Sequence, residues 1–252
     1  MIVCRGSWWD GDVLRLWPEP AMPVEDDALV DLYAYPGELA RPYLRVNFVS
    51  SADGAVTVGG VSAGLGSPVD RKVFLLLREL ADVILVGAGT VRAEGYGGAR
   101  RPTRGRTDPP PVAVVTASAA LDPGSRLFTD TRVPPIVFTT EAAPVEQRRR
   151  LAAAGAEVVV AGEQLVAIDT LLAVLQQRGL RRVLCEGGPR LHGDLIASDA
   201  VDELCLTLAP VLVGADIGRI SYGLPCPVLP MRLGQVLTED DQLLLRYLRA
   251  NG

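Results

Sequence analysis

The stretch ADVILVGAGTVR, residues 81–92, decides the class of fold. Its first half, residues 81–86, is a nearly continuous apolar run of strand length, which is typical of a strand covered on both faces in a parallel sheet. Gly87 and Gly89 follow at once, and a helical start comes behind them. A strand, a glycine turn and a helix form the repeating unit of an α/β protein, so we predict a doubly wound sheet with crossover connections.

The same alternation continues on both sides of this stretch. Apolar runs of strand length predict further strands at residues 44–49, 112–116, 135–139, 157–160 and 182–185. Apolar residues at helical spacing predict helices at residues 68–80, 143–153, 168–178 and 189–197. Residues 203–212 and 237–248 have the pattern of longer strands with no strong helix between them, which indicates an antiparallel end to the sheet.

The first 41 residues differ from the rest. They hold Trp8, Trp9 and Trp17, four prolines and one short helical pattern at residues 25–34. We interpret residues 1–41 as an irregular arm packed on the main body by its tryptophans, and residues 42–252 as the main domain. Residues 99–111, rich in Arg, Pro, Thr and Gly, have the composition of a mobile surface loop.

Composition excludes several classes of function. The chain has 252 residues, 48% of them hydrophobic, and a formal net charge of −5, so a nucleic-acid partner held by bulk charge is not expected. Four scattered cysteines and a single histidine, His192, predict no metal site and no disulfide framework. No apolar run reaches the length of a membrane span, and the N-terminal residues lack the pattern of a signal peptide, so we expect a cytoplasmic protein.

A second strand end carries glycines in the same way as the first. Residues 185–191 read CEGGPRL. Glycine turns let backbone N–H groups approach an anion, and the helix N-terminus behind them carries the positive end of the dipole. Either turn alone equally fits an ordinary βα connection, but two at one sheet edge favour a bound phosphate. The first is not a Rossmann fingerprint, because Arg92 stands at the third glycine position, and no Walker loop occurs.

A third candidate is the carboxylate of Asp53. It ends the run NFVSSADG, residues 47–54, where a strand enters a turn. An Asp-Gly pair commonly marks a tight turn. The functional alternative is that the two carboxylate oxygens of Asp53 accept hydrogen bonds from a ring N–H and its neighbouring amino group.

These motifs together resemble a known family. Residues 48–54 (FVSSADG), Ser67-Pro68 leading to Arg71 and Arg78, residues 86–94 (VGAGTVRAE), residues 186–189 (EGGP), residues 201–204 (VDEL) and residues 209–214 (APVLVG) occur in the same order in the reductase domain of riboflavin biosynthesis. The resemblance covers about residues 42–248. It implies a dihydrofolate-reductase-like three-layer α/β fold, with a mostly parallel central sheet, antiparallel C-terminal strands and helices on both faces. The zinc motif of the companion deaminase domain is absent, so the chain is similar to a stand-alone reductase.

The resemblance also implies roles for individual residues. It places an NADPH cofactor on residues from the two glycine turns and neighbouring strand ends: Ser50 or Ser51, Gly87, Gly89, Thr90, Glu94, Thr116, Gly187, Gly188, Pro189, Arg190 and Leu191. Substrate contacts are implied for Ser62, Arg78, Arg101 and Glu186, with Arg100 and Arg104 as rivals of Arg101. Asp53 and Glu186 are the expected catalytic pair that orients the ring and the sugar, while Arg78 and Arg101 are expected to hold a phosphate.

Gly64 and His192 each support an interpretation of their own. Family members commonly carry an aromatic residue where this chain has Gly64, which predicts a smaller and more flexible loop at residues 62–66. His192 follows the second glycine motif by one turn and has no identifiable partner, so a structural or cofactor-contact role is favoured over a general acid.

The resulting leading hypothesis is an NADPH-dependent oxidoreductase similar to 5-amino-6-(5-phosphoribosylamino)uracil reductase. It would reduce the ribosylamino group of a 5′-phosphorylated diaminopyrimidine to ribitylamino by hydride transfer. One alternative is a pterin or dihydrofolate-type reductase, motivated by Asp53 and the Gly64 loop. Another is a catalytically silent module that binds NADPH or a pterin. The family also implies a homodimer, paired through the C-terminal strands.

Overall fold

A sheet with helices on both faces accounts for most of the chain. The computed structural model describes residues 13–18, 22–214, 217–223 and 225–250. The strands within them are β1 (Leu14–Trp17), β2 (Met22–Pro23), β3 (Tyr43–Ser51), β4 (Val83–Gly87), β5 (Val112–Val115), β6 (Ile136–Thr139), β7 (Glu157–Val160), β8 (Arg182–Cys185), β9 (Glu203–Ala209), β10 (Met231–Glu239) and β11 (Gln242–Arg249). The helices are α1 (Asp26–Leu32), α2 (Pro68–Leu80), α3 (Ala88–Ala93), α4 (Arg126–Thr129), α5 (Val145–Ala153), α6 (Ile168–Gln177) and α7 (Pro189–Ala197).

The sheet is parallel in its centre and antiparallel at one end. Its strand order is β2-β1-β10-β11-β9-β3-β8-β4-β5-β6-β7. The pairs from β9 across to β7 are parallel, and the pairs from β9 across to β2 are antiparallel. The predicted fold class is therefore confirmed. One prediction is wrong in detail: residues 237–248 are not one strand, because β10 and β11 form a hairpin that turns at Asp240 and Asp241, both with positive φ.

Side chains that alternate along the strands build a core on each face. Val183 and Cys185 of β8 pack with α6 and α7, whereas Leu184 between them packs with α1 and α2. A third cluster joins β4, β5 and β6 to α3 and α5 on the side of Val86. This alternation, with both faces covered, gives the three layers and explains why the central strands are almost wholly apolar.

Helix α2 shows how the sequence defines an element. Ser67 caps its N-terminus by accepting a hydrogen bond from the backbone N–H of Asp70 (3.2 Å), and Pro68 occupies the first helical position. Its apolar face, buried against the sheet, consists of Val69, Val73, Leu76, Leu77 and Leu80. The cap and the apolar stripe together fix which end of α2 reaches the carboxyl edge of the sheet.

The N-terminal segment is more regular than an irregular arm. Strand β1 pairs with β10 and extends the sheet, and Leu29 of α1 is buried in the same cluster as α2. The expected packing by tryptophans is not seen at Trp17, which is 47% exposed, while Trp8 and Trp9 lie outside the described residues. The sheet of the main domain therefore includes part of this segment, because β10 offers it an unpaired edge.

The loop at residues 99–111 is anchored rather than free. The Thr103 side chain is buried, and its hydroxyl donates to the carbonyl of Ala81 (2.8 Å). The backbone N–H of Arg104 donates to the carbonyl of Glu79 (2.7 Å). These bonds hold the middle of the loop against the end of α2, so its composition alone was misleading.

An ion cluster lies buried under the N-terminal segment. Glu203 receives hydrogen bonds from Arg45 (Nε to Oε1, 2.7 Å) and from Arg246 (Nε to Oε1, 2.7 Å), and the Arg45 and Glu203 side chains have no exposed surface. The Arg45 guanidinium stacks 4.1 Å from the ring centre of Tyr35. Arg246 also donates to the carbonyl of Leu32, at the end of α1 (2.8 Å). The segment after β2 thus covers charged side chains that would otherwise meet solvent.

Candidate active site

A cavity of about 1840 Å³ opens at the carboxyl ends of the parallel strands β3, β4, β5 and β8. This is where open α/β sheets bind their ligands. The predicted site residues in its wall are Gly87, Gly89, Thr90, Glu94, Thr116, Glu186, Gly188, Pro189, Arg190, Leu191, Ser62, Arg78 and Arg101. Its volume exceeds the roughly 300–1,000 Å³ typical of a site for one small molecule, so it has room for two reactants side by side.

The two glycine turns meet at the floor of this cleft. The backbone N–H of Gly87 donates to the carbonyl of Gly187 (2.8 Å). A Cβ on Gly188 would stand 2.6 Å from Thr90 Oγ1, and a Cβ on Gly87 would stand 3.3 Å from Gly188 N. These close approaches require glycine at both positions, so Gly87 and Gly188 present backbone and no side chain to the cleft that they line. Helix α7 begins immediately behind, at Pro189, and directs its N-terminus to the same place.

A three-membered side-chain cluster forms one wall. Arg78, near the end of α2, donates to both carboxylate oxygens of Glu186 (Nε to Oε1 and Nη2 to Oε2, both 2.7 Å). The hydroxyl of Tyr96 accepts from Arg78 Nη2 (2.8 Å) and donates to Glu186 Oε2. The guanidinium also stacks on Phe74, 4.4 Å from the ring centre. No motif in the sequence pointed to Tyr96, since its partners lie far away in the chain.

Electrostatics in this cluster follow from its burial. The Glu186 side chain is 3% exposed and that of Arg78 is 18% exposed. Burial alone would lower the pKa of Arg78, but the Glu186 carboxylate outweighs it and raises that pKa. Burial, reinforced by Glu186, raises the pKa of Tyr96 well above its ordinary value. Arg78 therefore lines the cleft as one member of an ion pair that has no net charge. This differs from the expectation that Arg78 is a free cation that binds a phosphate.

The loop arginines are also paired, though at the surface. Arg101 donates to Glu79 (2.7 Å) and Arg104 lies 3.5 Å from the same carboxylate. Arg100 pairs with Asp130 (2.7 Å). Because exposed pairs of this kind are weak, a phosphate can displace them. Arg100 and Arg101 line the cleft, while Arg104 does not.

Asp53 lies outside the cleft, contrary to the catalytic role predicted for it. Its carboxylate accepts from the backbone N–H groups of Val213 (3.1 Å) and Gly214 (2.8 Å) and from the hydroxyl of Ser51. These bonds, that of Ser51 first, lower the pKa of Asp53 to about 2. Asp53 thus fixes the loop after β9. The turn interpretation of the Asp-Gly pair is the one the structure supports.

The other predicted residues outside the cleft wall are the serines and one glycine. Ser50 and Ser51 are both buried, and Ser51 Oγ accepts from the backbone N–H of Ala55 (2.8 Å). Gly187 is committed to its bond with Gly87. Both side chains are buried on opposite faces of β3 and neither lines the cleft, so the structure does not bring Ser50 and Ser51 to the expected cofactor contacts.

One carboxyl in the cleft was missed by the sequence reasoning. Asp70 lies half-buried in the first turn of α2 and lines the cavity. Burial raises its pKa, and a hydrogen bond with Thr207 partly offsets that. The pattern Ser67-Pro68 predicts a helix start, but only the three-dimensional arrangement shows that this start opens into the cleft.

The loop around Gly64 contains an ordered turn. Residues Ser62–Gly64 form one turn of 3₁₀-helix, and Leu65 behind it is buried. A Cβ on Gly64 would stand 2.9 Å from Cβ of Val58, so a larger residue there would require Val58 to move. Ser62 and Ala63 of this loop line the cleft.

His192 has the structural position that the sequence favoured. It is buried, its ring stacks on Phe48 with centroids 5.1 Å apart, and Nδ1 lies 3.0 Å from the carbonyl of Ile220. Burial lowers its pKa. His192 does not line the cleft, so it orders the helix behind the second glycine turn.

The described residues contain neither a metal-binding cluster nor a membrane-spanning helix. Within residues 13–18, 22–214, 217–223 and 225–250, no group of three or more His, Cys, Asp or Glu side chains is arranged to hold a metal ion. In the same part of the chain, no helix has the length and apolar character needed to cross a bilayer.

The strand order and the cleft at its carboxyl edge define an α/β protein that binds its ligands at the carboxyl ends of parallel strands. The model of the RibD C-terminal domain matches residues 42–245, and the chain belongs to that family. A 2,5-diamino-6-ribosylamino-4(3H)-pyrimidinone 5′-phosphate reductase from Aquifex aeolicus is 33% identical over 220 residues, covering 83% of this chain and 97% of the relative. The reductase of the same name from Methanothermobacter thermautotrophicus is 33% identical over 183 residues, covering 71% of this chain and 82% of the relative.

Solved structures agree with this placement. A pyrimidine reductase-like protein from Corynebacterium diphtheriae superimposes with a TM-score of 0.75 at 27% identity, covering 84% of this chain and 93% of that one. The riboflavin biosynthesis reductase of yeast superimposes with a TM-score of 0.64 at 20% identity, covering 88% and 97%, and shows the shared fold. The relatives are oxidoreductases by name.

Proposed function

We propose that this chain is an NADPH-dependent reductase of 2,5-diamino-6-ribosylamino-4(3H)-pyrimidinone 5′-phosphate. It converts the ribosylamino group to a ribitylamino group. The main structural support is one cleft whose wall holds glycines of both turns together with the Arg78–Glu186–Tyr96 cluster. The two relatives of that name, matched over most of their length, support the same substrate.

The residues present fit a dinucleotide cofactor. Gly87, Gly89 and Gly188 line one part of the cleft with backbone alone, and the N-terminus of α7 borders that part. We assign the pyrophosphate to this place, with Thr90 beside it and Thr116 at the adenosine end. When bound, NADPH supplies a hydride from the nicotinamide C4 to C1′ of the ribosylamino group.

The protein's own part in the reaction is binding and orientation. Glu186, fixed by Arg78 and Tyr96, offers a carboxylate to the sugar hydroxyls, and Ser62 lies in the wall of the same cleft. Arg101, whose side chain is exposed, exchanges its partner Glu79 for the substrate phosphate. Holding the reactants in contact and away from water lowers the barrier without a covalent step. We assign the accompanying proton to water or to a substrate group.

The test is direct. Purified protein is mixed with NADPH and the ribosylaminopyrimidine phosphate, and loss of reduced-nicotinamide absorbance is followed together with formation of the ribitylamino product by mass spectrometry. We expect both signals. NADPH binding by calorimetry without turnover would favour the silent binding module instead, and faster oxidation with dihydrofolate at equal concentration would favour the pterin reductase.

We further propose a homodimer, with the loops that follow β9 at its interface. Leu212 and Val228 are apolar and 80% and 91% exposed, and covering them with a second protomer would remove apolar surface from water. Light scattering on the wild type should give the mass of a dimer, and Leu212→Glu should shift it toward the monomer. A monomeric wild type would contradict this proposal.

A further inference from the structure

Asp70 is the carboxyl of the cleft that the proposed reaction leaves without a role. Four of the described acidic side chains line the cavity: Asp70, Glu94, Glu186 and Asp194. Glu94 accepts from the backbone N–H of Ser62 (2.9 Å), and Glu186 and Asp194 pair with arginines. Among these, Asp70 alone has neither a cation nor a backbone N–H on its carboxylate in the part of the chain that the structure describes, since its one partner is the Thr207 hydroxyl.

The position of Asp70 is held firmly from behind. Ser67 caps α2 and donates to the side-chain oxygen of Gln242 on β11 (2.5 Å), which fixes the first turn of the helix to the sheet. Thr207, on β9, is itself buried, and it steadies the carboxyl from the sheet side. Gly66 stands beside it: a Cβ there would lie 3.2 Å from Asp70 Oδ2. The carboxylate is thus held in one place with acceptor capacity left over.

A half-buried carboxylate with few hydrogen bonds has a high free-energy cost, because its charge is partly removed from water. Hydrogen-bond donors from a ligand would reduce this cost. A 2-amino-4(3H)-pyrimidinone ring offers two donors side by side, the N3–H and the amino group at C2. These match the two oxygens of a carboxylate in a forked pair. In a 5-aminouracil ring, a carbonyl oxygen replaces the amino group at C2. This oxygen would face a carboxylate oxygen, so a repulsion between two acceptors would replace one of the two hydrogen bonds.

We propose that Asp70 binds the N3–H and the C2 amino group of the pyrimidine ring, and that it thereby selects the diaminopyrimidinone phosphate over the corresponding 5-aminouracil phosphate. This inference rests on the proposed function, since it assigns the ring-recognition step of that reaction. It moves the ring-binding role, expected at Asp53, to a carboxyl in the wall of the cleft.

The experiment compares the two pyrimidines in the wild type and in Asp70→Asn, by kcat/KM at saturating NADPH. A carboxylate loses one of its two hydrogen bonds when it meets the uracil ring, so the wild type should prefer the diamino ring by roughly tenfold or more. An amide has one acceptor and one donor and matches the uracil edge, so Asp70→Asn should shift the ratio toward the uracil form by at least about tenfold, mainly through KM. Asp70→Glu keeps both acceptors and should keep the direction of the preference.

The control is Glu146→Gln, a carboxyl-to-amide change in the first turn of α5, outside the cleft, which should leave the ratio unchanged. Calorimetric titration with each pyrimidine, without NADPH, measures recognition apart from reduction. Binding of the diamino ring that Asp70→Asn weakens, without NADPH oxidation, would overturn the proposed reaction and sustain the role of Asp70. Turnover of both rings with a ratio unaffected in the folded Asp70→Asn and Asp70→Glu variants would overturn the role of Asp70 and sustain the reaction.

Discussion

Arg78 and Glu186 meet as a fork, with Nε to Oε1 and Nη2 to Oε2 both at 2.7 Å, although they are 108 residues apart in the chain. One comes from the end of α2 and the other directly follows β8. The pair therefore joins a helix on one face of the sheet to the carboxyl edge where the cleft opens. In the cleft, a substrate contacts the fixed carboxylate of Glu186 and the guanidinium of Arg78, whose charge is neutralised by that carboxylate. This pair binds hydroxyl groups better than it binds a phosphate dianion.

Removing the charge of Glu186 should weaken the substrate site more than the cofactor site. Glu186→Gln breaks a buried charged pair, and hydrogen bonds to charged groups contribute about 1.5–3 kcal/mol, so kcat/KM for the pyrimidine should fall roughly 10–100-fold. NADPH binding, measured by calorimetry, should change little. Equal losses of cofactor and substrate affinity would contradict this division of the cleft.

The neighbouring hydroxyl should show coupling to Glu186. Tyr96→Phe removes the hydrogen bonds of its hydroxyl with Arg78 and Glu186. It should lower kcat/KM by about threefold to tenfold, corresponding to about 0.5–1.5 kcal/mol. In the Glu186→Gln background the same change should have a much smaller effect, because the two residues share one network. Tyr247→Phe, on β11 and outside the cleft wall, is the control. Additive losses at Tyr96 and Glu186 would show that they act independently.

Asp53→Asn should retain activity and lose stability. The carboxylate accepts hydrogen bonds from Ser51, Val213 and Gly214, and its pKa is lowered to about 2. Since the folded pKa lies below the unfolded value of about 3.9, the stabilisation is fully present above that value and disappears as the pH falls toward 2. Urea unfolding at pH 7 should show the variant less stable than the wild type, with the gap narrowing near pH 3. A variant that unfolds normally but does not turn over would restore a catalytic Asp53.

The sequence predicted the elements better than the contacts between them. The bounds of α2, β7, β8 and α7 match the structure because their apolar spacing reflects burial, a local property of the chain. Asp53 was misplaced because its partners, Val213 and Gly214, are 160 and 161 residues away. An Asp-Gly turn has the same sequence whether its carboxylate faces a ligand or a neighbouring loop.

Tyr96 and Asp70 were missed for a related reason. Tyr96 has its partner Glu186 90 residues away, and Asp70 stands in an ordinary helix start. Whether a polar residue faces a cleft depends on how helices are placed over the sheet, which neither periodicity nor spacing encodes. The glycine turns were recognisable because a close approach between backbone segments requires glycine, and glycine is visible in the sequence.

Gly188→Ala should lower cofactor affinity through sterics alone. Gly188 has φ −80°, which alanine adopts freely, but the added Cβ would stand 2.6 Å from Thr90 Oγ1. We expect the Kd for NADPH to rise at least about tenfold, with Thr90→Ala in the same chain partly restoring it. Gly37→Ala, where no atom lies within 4 Å of the added Cβ, serves as the control. Unchanged NADPH binding in the folded Gly188→Ala variant would place the pyrophosphate elsewhere.

The ion cluster under the N-terminal segment should dominate stability among the charged groups. Burial works to raise the pKa of Glu203, but Arg45 and Arg246 hold it below its ordinary value. Glu203→Gln leaves these two arginines without their carboxylate, and breaking a buried pair costs about 3–5 kcal/mol, so thermal unfolding should begin well below the wild type. Glu157→Gln removes the exposed partner of Arg178 and should cost at most about 1 kcal/mol. Similar midpoints for the two variants would mean that water reaches the cluster and that the segment from α1 to Tyr35 does not seal it.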